Sequence, residues 1–412
     1  MTAAKSKFNW ELILLLWLAF FFNQADRQIF NVVLPAVKAD LQLSDLELGV
    51  ISSAFILAIG VFVPVAGYFG DKFSKKKVII FSVLIWTLAT FCTGFSGGFV
   101  ILIFLRSVVG GSEAFYGPAA NSLIGEKFAS NLGHAMAIHQ TSLYVGIILS
   151  GVIGGWMADH FGWRTVFFVF GLIGVILAIW MKFRLEDSHV QKSGNTISFL
   201  TGFKILINTK TAVLLTLGFG CMVFVNVGYL TWAPTFLHEK YGLSLTDAGF
   251  SSMFYHHLCA FFGVMLSGKL SDRLAVKKPM VRPMIQATGL LLGTPFIFMI
   301  GASGSLPWVY FAFGMFGFFR GMFDSNIYAS LFSVIHERVR SSVIAAMVMI
   351  AYIFASFAPA ILGYFKPIFG LSKGVSYLSF FYLAGGLIIL SAALITFKKD
   401  RENLLNSTFS YG

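Results

Sequence analysis

Charge is what this 412-residue chain has least of: Asp, Glu, Lys and Arg make up 12% of it, against 57% for hydrophobic types. So little polar surface cannot cover a water-soluble globule, so the chain must use lipid as its solvent. Cysteine is equally sparse. Cys92, Cys221 and Cys259 each fall in an apolar run, with neither disulfide nor metal-ligand spacing, and read as packing residues. No nucleophile and base motif, HExxH, Walker loop or appended soluble sensory domain is present, which disfavours an intramembrane enzyme or sensor. Only Lys5 and Lys7 precede the first long run, with no small-residue cleavage site after it, so that run is expected to stay in the protein.

What fills the chain is apolar. Runs of about 20 residues, long enough to cross a hydrocarbon core of roughly 30 Å, recur from Glu11 to Phe397. Twelve spans are predicted, near 10–36, 46–70, 77–96, 98–127, 133–159, 163–184, 211–237, 245–271, 281–302, 306–335, 340–366 and 375–397. The 41 glycines would weaken soluble helices, but in a bilayer they let helices approach closely, as in Gly151-Val-Ile-Gly-Gly155.

The net charge of +12 would fit a nucleic-acid binder if the basic residues were not confined to loops on one side of the spans. Of the 30 Lys and Arg, five (Lys38, Arg164, Lys240, Lys366 and Lys373) fall on one side and three inside spans. The remaining 22 fall on the other side. This positive-inside pattern puts both termini in the cytoplasm, makes the lipid bilayer the partner and argues against nucleic acid. The polar stretch 186–210 divides the chain into an amino-terminal bundle (1–185) and a carboxy-terminal bundle with a short tail (211–412). The expected fold class is an all-α membrane protein of twelve helices in two pseudo-symmetric six-helix bundles.

An internal repeat supports the division. Ala66-Gly-Tyr-Phe-Gly-Asp-Lys-Phe-Ser-Lys-Lys-Lys77 is echoed by Ser267-Gly-Lys-Leu-Ser-Asp-Arg-Leu-Ala-Val-Lys-Lys278, 201 residues later. Parallel repeats about an axis along the membrane normal place a substrate site between the halves near the midplane, with access alternating as they rock. Gly67, Asp71, Lys72, Lys76 and Lys77, with Gly268, Asp272, Arg273 and Lys277 in the second copy and Gly162-Trp-Arg164 before the sixth span, resemble the major facilitator superfamily. That resemblance covers essentially the whole chain. It implies a gating role for Gly67, Asp71, Lys72, Lys76, Gly268, Asp272 and Arg273; the plainer reading is a loop that only sets topology.

Six ionisable residues lie inside the spans: Asp26, Arg27, Arg106, Glu113, Arg320 and Asp324. Their burial is expensive, which makes them functional candidates. Arg106 and Glu113, nearly two helical turns apart, share a face of span four and can line one cavity. Arg320 and Asp324, at i and i+4 on span ten, can satisfy each other as an ion pair, which weakens the case that they act on a substrate.

Asn23-Gln-Ala-Asp-Arg27 together with Arg106-Ser-Val-Val-Gly-Gly-Ser-Glu113 resembles the anion:cation symporter branch, which includes carriers of sugar acids and sialic acid. Segments 229–237 and 242–249 are similar to that branch too. The resemblance implies Asp26 and Glu113 as proton sites and Arg27 and Arg106 as contacts for a substrate carboxylate. Chemistry agrees: guanidinium stays charged and its planar fork matches a carboxylate, so protonating the two acids leaves an anion site behind. Deprotonation restores competing carboxylates and expels the anion.

The same segments also resemble spinster-type lipid carriers, and the 47 phenylalanines keep that alternative open, as they do export of an amphipathic compound. A proton-coupled neutral-sugar carrier is a third reading. Sugar-acid symporters commonly carry Tyr where this chain has Gln24, and an aromatic hydroxyl near its Ile59, so the substrate pocket is expected to differ. Span five lacks the Gly-Pro signature of drug and proton antiporters, which favours symport.

Gln24, His139, Gln140, Tyr144, Asn226, Tyr229, Asn326 and Tyr352 are further candidates for the cavity wall, each equally readable as an interhelical hydrogen bonder. His256 and His257 point to different faces, which disfavours paired metal ligation and favours packing. No cofactor or metal is expected beyond protons as coupling ion, with sodium an open alternative at Asp26. The expected partner is a small-molecule substrate, the expected state a monomer, and the expected location a bacterial inner membrane.

Overall fold

The computed structural model describes residues 9–186 and 198–406, and these are almost entirely helical. The amino-terminal bundle consists of α1 (Trp10–Leu41), α2 (Asp45–Lys72), α3 (Lys75–Thr93), α4 (Phe99–Glu113), α5 (Tyr116–Lys127), α6 (Leu132–Phe161) and α7 (Trp163–Arg184). A short helix, α8 (Phe199–Asn208), follows within the segment read as linker. The second bundle consists of α9 (Lys210–Tyr241), α10 (Leu245–Ala275), α11 (Val281–Ala302), α12 (Leu306–Asp324), α13 (Ile327–Phe332), α14 (Arg340–Ala355) and α15 (Phe357–Ser391). It ends in α16 (Phe397–Asn406).

These make twelve spans because two pairs, α4 with α5 and α12 with α13, are each one span broken in the middle, and α15 holds parts of two. Spans four and ten were expected to be continuous. Instead each breaks directly after its intramembrane carboxylate, at Ala114–Phe115 after Glu113 and at Ser325–Asn326 after Asp324. The amide of Phe115 donates to the carbonyl of Ser112 and that of Asn326 to Phe323, so each helix tightens to an i, i+3 turn there. In α15, Gly370 (φ 81°, ψ 156°) turns the chain between spans eleven and twelve. Gly162 (φ 81°, ψ 157°) does the same between spans five and six. Only glycine takes that conformation without strain, and the two turns are equivalent points of the repeat.

Helix starts also repeat. Ser44 accepts from the Glu47 amide at 3.2 Å while the Glu47 carboxylate accepts from the Ser44 amide at 2.8 Å, a closed capping box. Ser244 accepts from the Asp247 amide at 3.0 Å at the start of α10. Among the described residues, eight helical stretches are long and apolar enough to cross a membrane by themselves, and the last of these holds two spans. The spans that fall short are α1, α10 and α12, which carry Asp26 and Arg27, the two adjacent histidines, and Arg320 and Asp324. Their polar groups face inward, and packing supplies what hydropathy does not.

One face of the molecule carries the basic loops. At the opposite face the halves are sealed together by two helix crossings related by the repeat. A Cβ on Gly151 of α6 would lie 2.6 Å from the carbonyl oxygen of Gly249 in α10, and one on Gly155 2.5 Å from that of Leu245. A Cβ on Gly49 of α2 would lie 2.4 Å from the Pro359 carbonyl in α15, and one on Gly363 2.3 Å from the Asp45 carbonyl. Backbone meets backbone at both crossings, which is what small residues permit in lipid.

Polar latches reinforce them. Asp159 of α6 accepts from the Leu245 and Thr246 amides at 3.2 and 2.9 Å and from the Thr246 hydroxyl at 2.7 Å, so one half satisfies first-turn donors of a helix in the other. Asp45 accepts from Lys38 at 2.7 Å and from Lys366 of the other half at 2.8 Å, and Lys366 also meets Glu239 at 2.7 Å.

At the basic face the same helices stand apart: Gly67 and Gly70 of α2 and Gly133 of α6 have no neighbour within 4 Å of a would-be Cβ. The space between the halves therefore opens toward the basic side. A Gly249→Leu substitution is expected to prevent the sealed state. In that variant, cysteines placed near Asp159 should become several-fold more reactive to a membrane-impermeant maleimide, whereas unchanged labelling would show that the α6 and α10 crossing does not hold the seal.

Candidate functional site: a central cavity between the two bundles

A polar stripe runs along α1. Gln24, Arg27, Gln28 and Asn31 recur at i, i+3, i+4 and i+7, and all four line one cavity of about 510 Å³ between the bundles. Its other walls come from Ser52 and Phe55 of α2, Arg106 of α4, Tyr144 of α6 and Asn226 of α9. His257 of α10, Arg320 and Asp324 of α12, Tyr328 of α13 and Tyr352 of α14 complete it.

Arg106 is buried, and its guanidinium lies over the rings of Phe30 and Phe55, 4.7 and 4.4 Å from their centroids. One hydrogen bond, from Nη1 to the Asp26 carbonyl at 3.2 Å, holds it, and its Nε has no partner. Among the described residues no carboxylate side chain forms an ion pair with it. Stacking compensates part of the cost of burying the cation, but most of its donor fork is left for something else.

Arg27 is differently placed. Its Nε donates to Glu113 Oε2 at 2.6 Å, and Tyr352 of the opposite half lines the cavity with it. The other Glu113 oxygen is buried without a partner. The aromatic hydroxyl that neither Gln24 nor Ile59 supplies thus reaches the site from α14. Asp26 is fully buried beneath Arg106. The Thr90 hydroxyl of α3 donates to its Oδ2 at 3.2 Å, its Oδ1 is unpartnered, and it does not line the cavity.

On the facing wall, Arg320 Nε and Asp324 Oδ2 are 3.3 Å apart in the i, i+4 pair read from the sequence, but out of line for a hydrogen bond. Arg320 Nη1 sits 3.1 Å from His256 Nε2. Guanidinium only donates, so Nε2 accepts and this histidine is the neutral Nδ1–H tautomer. His256 and His257 do face different ways: the first packs against Arg320, and the second lines the cavity with Nδ1 2.8 Å from the Met253 carbonyl.

Four candidates lie away from the cavity. His139 stacks on Phe20 with its Nε2 3.1 Å from the Tyr116 hydroxyl, and Gln140 points outward from α6. Tyr229 is buried, donating to the Ser252 carbonyl at 2.5 Å, and Asn326 accepts from the Ser271 hydroxyl at the break in span ten. His139, Tyr229 and Asn326 are interhelical hydrogen bonders, because the bundle interior offers their polar ends a partner before the cavity does. Gln24, Tyr144, Asn226 and Tyr352 do line it.

The loop residues lie on the basic face. Lys72 donates to the Tyr68 hydroxyl at 2.9 Å, Lys76 is half-buried, Asp272 meets Arg282 at 3.4 Å, Arg273 is exposed, and Gly268 packs loosely on Ser325. Asp71 sits in the last turn of α2, and its side chain is outside the described residues. Trp163 and Arg164 both donate to Asp40. Sequence reasoning missed Gln28, Asn31 and Tyr328. The period on α1 held the signal for the first two; nothing local marked the third.

Two pseudo-symmetric bundles around a charged cavity, sealed at one face and open toward the other, define a secondary transporter. The family model for the Major Facilitator Superfamily matches residues 16–359, and the chain belongs to that family. It is a membrane transporter and not an enzyme. It is 29% identical over 304 residues to the "Probable galactarate/D-glucarate transporter GudP" of Bacillus subtilis (strain 168), covering 66% of this chain and 67% of that protein. It is 25% identical to the hexuronate transporter of the same organism, over 95% of each chain. The crystal structure of a bacterial homologue of the human lysosomal transporter spinster, in an inward-facing and occupied conformation, superposes with a TM-score of 0.79. That match covers 99% of this chain and all of the other at 19% identity, a likeness of fold.

Proposed function

We propose that the protein moves a small organic anion, a sugar acid or related carboxylate, together with protons by alternating access. The observation that carries this reading is Arg106, a buried cation on the cavity wall with no carboxylate partner. A ligand carboxylate can take up its free donors, and Arg27 can join once Glu113 is protonated and gives it up. Asp26 and Glu113 are the proton sites in this reading, each with one buried oxygen unpartnered. The galactarate/glucarate and hexuronate carriers among its relatives support the substrate class.

With the basic face in the cytoplasm, the cavity opens inward, the state from which substrate and protons leave. The gating loops around Gly67 to Lys76 and Gly268 to Arg273 are then apart and close in the opposite state. One monomer, in a bacterial inner membrane with both termini cytoplasmic, holds the whole cavity. Protons are the coupling ion of choice; sodium is the alternative to test beside them.

A second reading is a spinster-type carrier of a lipid or amphipathic compound. It is favoured by the apolar stretch of cavity wall formed by Leu143, Ile147, Val223, Val227 and Leu230. Proteoliposomes with an internal pH dye separate the two. Acidification on adding sugar acids, absent with neutral sugars and lysolipids and unchanged by replacing sodium, is the expected result. Movement of a lysolipid or a neutral sugar with no pH response to any acid would overturn it.

A further inference from the structure

The charges of the cavity are divided between the two bundles. Arg106 and the Arg27–Glu113 pair stand on the amino-terminal wall, while Arg320, Asp324 and His257 stand on the other. If Arg320 served only to neutralise Asp324, the two would be expected to form an aligned, charge-assisted hydrogen bond, as Arg27 and Glu113 do. They do not. The Nε of Arg320 is buried and without a hydrogen bond, and its Nη1 is held by a neutral histidine. An arginine in the membrane interior is costly, and one whose carboxylate partner is out of line has capacity left for another acceptor.

Building on the anion reading, we propose that the substrate is an anion charged at both ends, a dicarboxylate or a compound of like charge distribution. Arg106 binds one end and Arg320 the other. Asp324 is the group that the second carboxylate displaces from Arg320, and Tyr144, which reaches across from α6 with its ring 6.4 Å from that of His257, closes the same wall. Such a ligand ties the two bundles together. A ligand held mainly by one bundle gains less from closure than one held by both, and only a difference in affinity between the closed and open arrangements biases the rocking between them. One that spans the cavity has that differential affinity.

Calorimetric titration of the purified full-length protein in detergent, at fixed pH, tests this with three probes of equal chain length: a six-carbon sugar diacid, the monoacid and the uncharged polyol. The diacid is expected to bind at least tenfold more tightly than the monoacid, and the polyol not measurably. Arg320→Gln should remove the advantage of the diacid over the monoacid, and the double variant Arg320→Gln with Asp324→Asn, which leaves no uncompensated charge, should do the same with a thermal unfolding transition retained. Asp324→Asn should tighten diacid binding several-fold. Equal binding of diacid and monoacid by the parent, or an advantage of the diacid that survives Arg320→Gln, overturns the two-station proposal and leaves the anion reading standing. Binding of the polyol as well as either acid overturns both.

Discussion

Arg106→Gln is expected to abolish anion binding, raising Kd by roughly a hundredfold or more. Among the described residues, the guanidinium between Phe30 and Phe55 is the cation of the cavity with no carboxylate partner to release first. Removing it leaves a desolvated substrate carboxylate without its charge-assisted bonds, a loss of about 3 kcal/mol or more. Folding should not suffer in proportion, because a buried charge held by one backbone hydrogen bond is weak evidence of stabilisation. Thermal unfolding at or above the parent temperature, together with lost binding, is the expected pair of results. Arg106→Lys should recover only part of the affinity, since an ammonium keeps the charge but neither stacks between two rings nor presents a planar fork. Parent-like binding by the Gln variant would remove the anion reading at its base.

Glu113→Gln is expected to uncouple the carrier. The glutamine keeps the volume of the side chain and can still accept from Arg27, but it cannot give up or take a proton at this point. The ion pair of 2.6 Å is replaced by a weaker hydrogen bond from the guanidinium to a neutral amide oxygen, so Arg27 is more readily shared with the substrate. The variant should therefore bind the anion as well as the parent or better. It should still exchange internal for external anion in proteoliposomes, yet show no anion-dependent internal acidification and no accumulation driven by a pH gradient. Acidification at the parent rate would remove Glu113 from the coupling path and leave Asp26 to carry it. Loss of exchange together with loss of binding would instead make the Arg27 and Glu113 pair a structural tie.

How much of this was legible in the sequence depends on the range of the interaction concerned. The repeat around Gly67 and Gly268 and the six intramembrane charges are local patterns, readable because each lies within a short stretch of chain. The Arg320 and Asp324 pair was legible for the same reason; the polar stripe on α1 was read only as far as Gln24 and Arg27, although its period continues through Gln28 and Asn31. The latches were not. Asp159 meets Thr246 and Asp45 meets Lys366 across the junction of the two bundles, and no spacing along the chain announces either.

The breaks in spans four and ten were hidden too: by length and mean hydropathy Phe99–Lys127 passes as one continuous span. Nor did composition reveal that Asp26 turns toward Thr90 while Arg106 turns toward the cavity. The sequence by itself determined the solvent, the number of spans, the two-fold repeat and the short list of groups able to carry charge. These follow from transfer free energy and helical geometry, which each segment obeys alone. Only the tertiary structure decided which face is sealed, which arginine lacks a carboxylate and which polar residues share one cavity. Those depend on how helices far apart in the chain pack together, and packing is a property of the assembled bundles rather than of any one span.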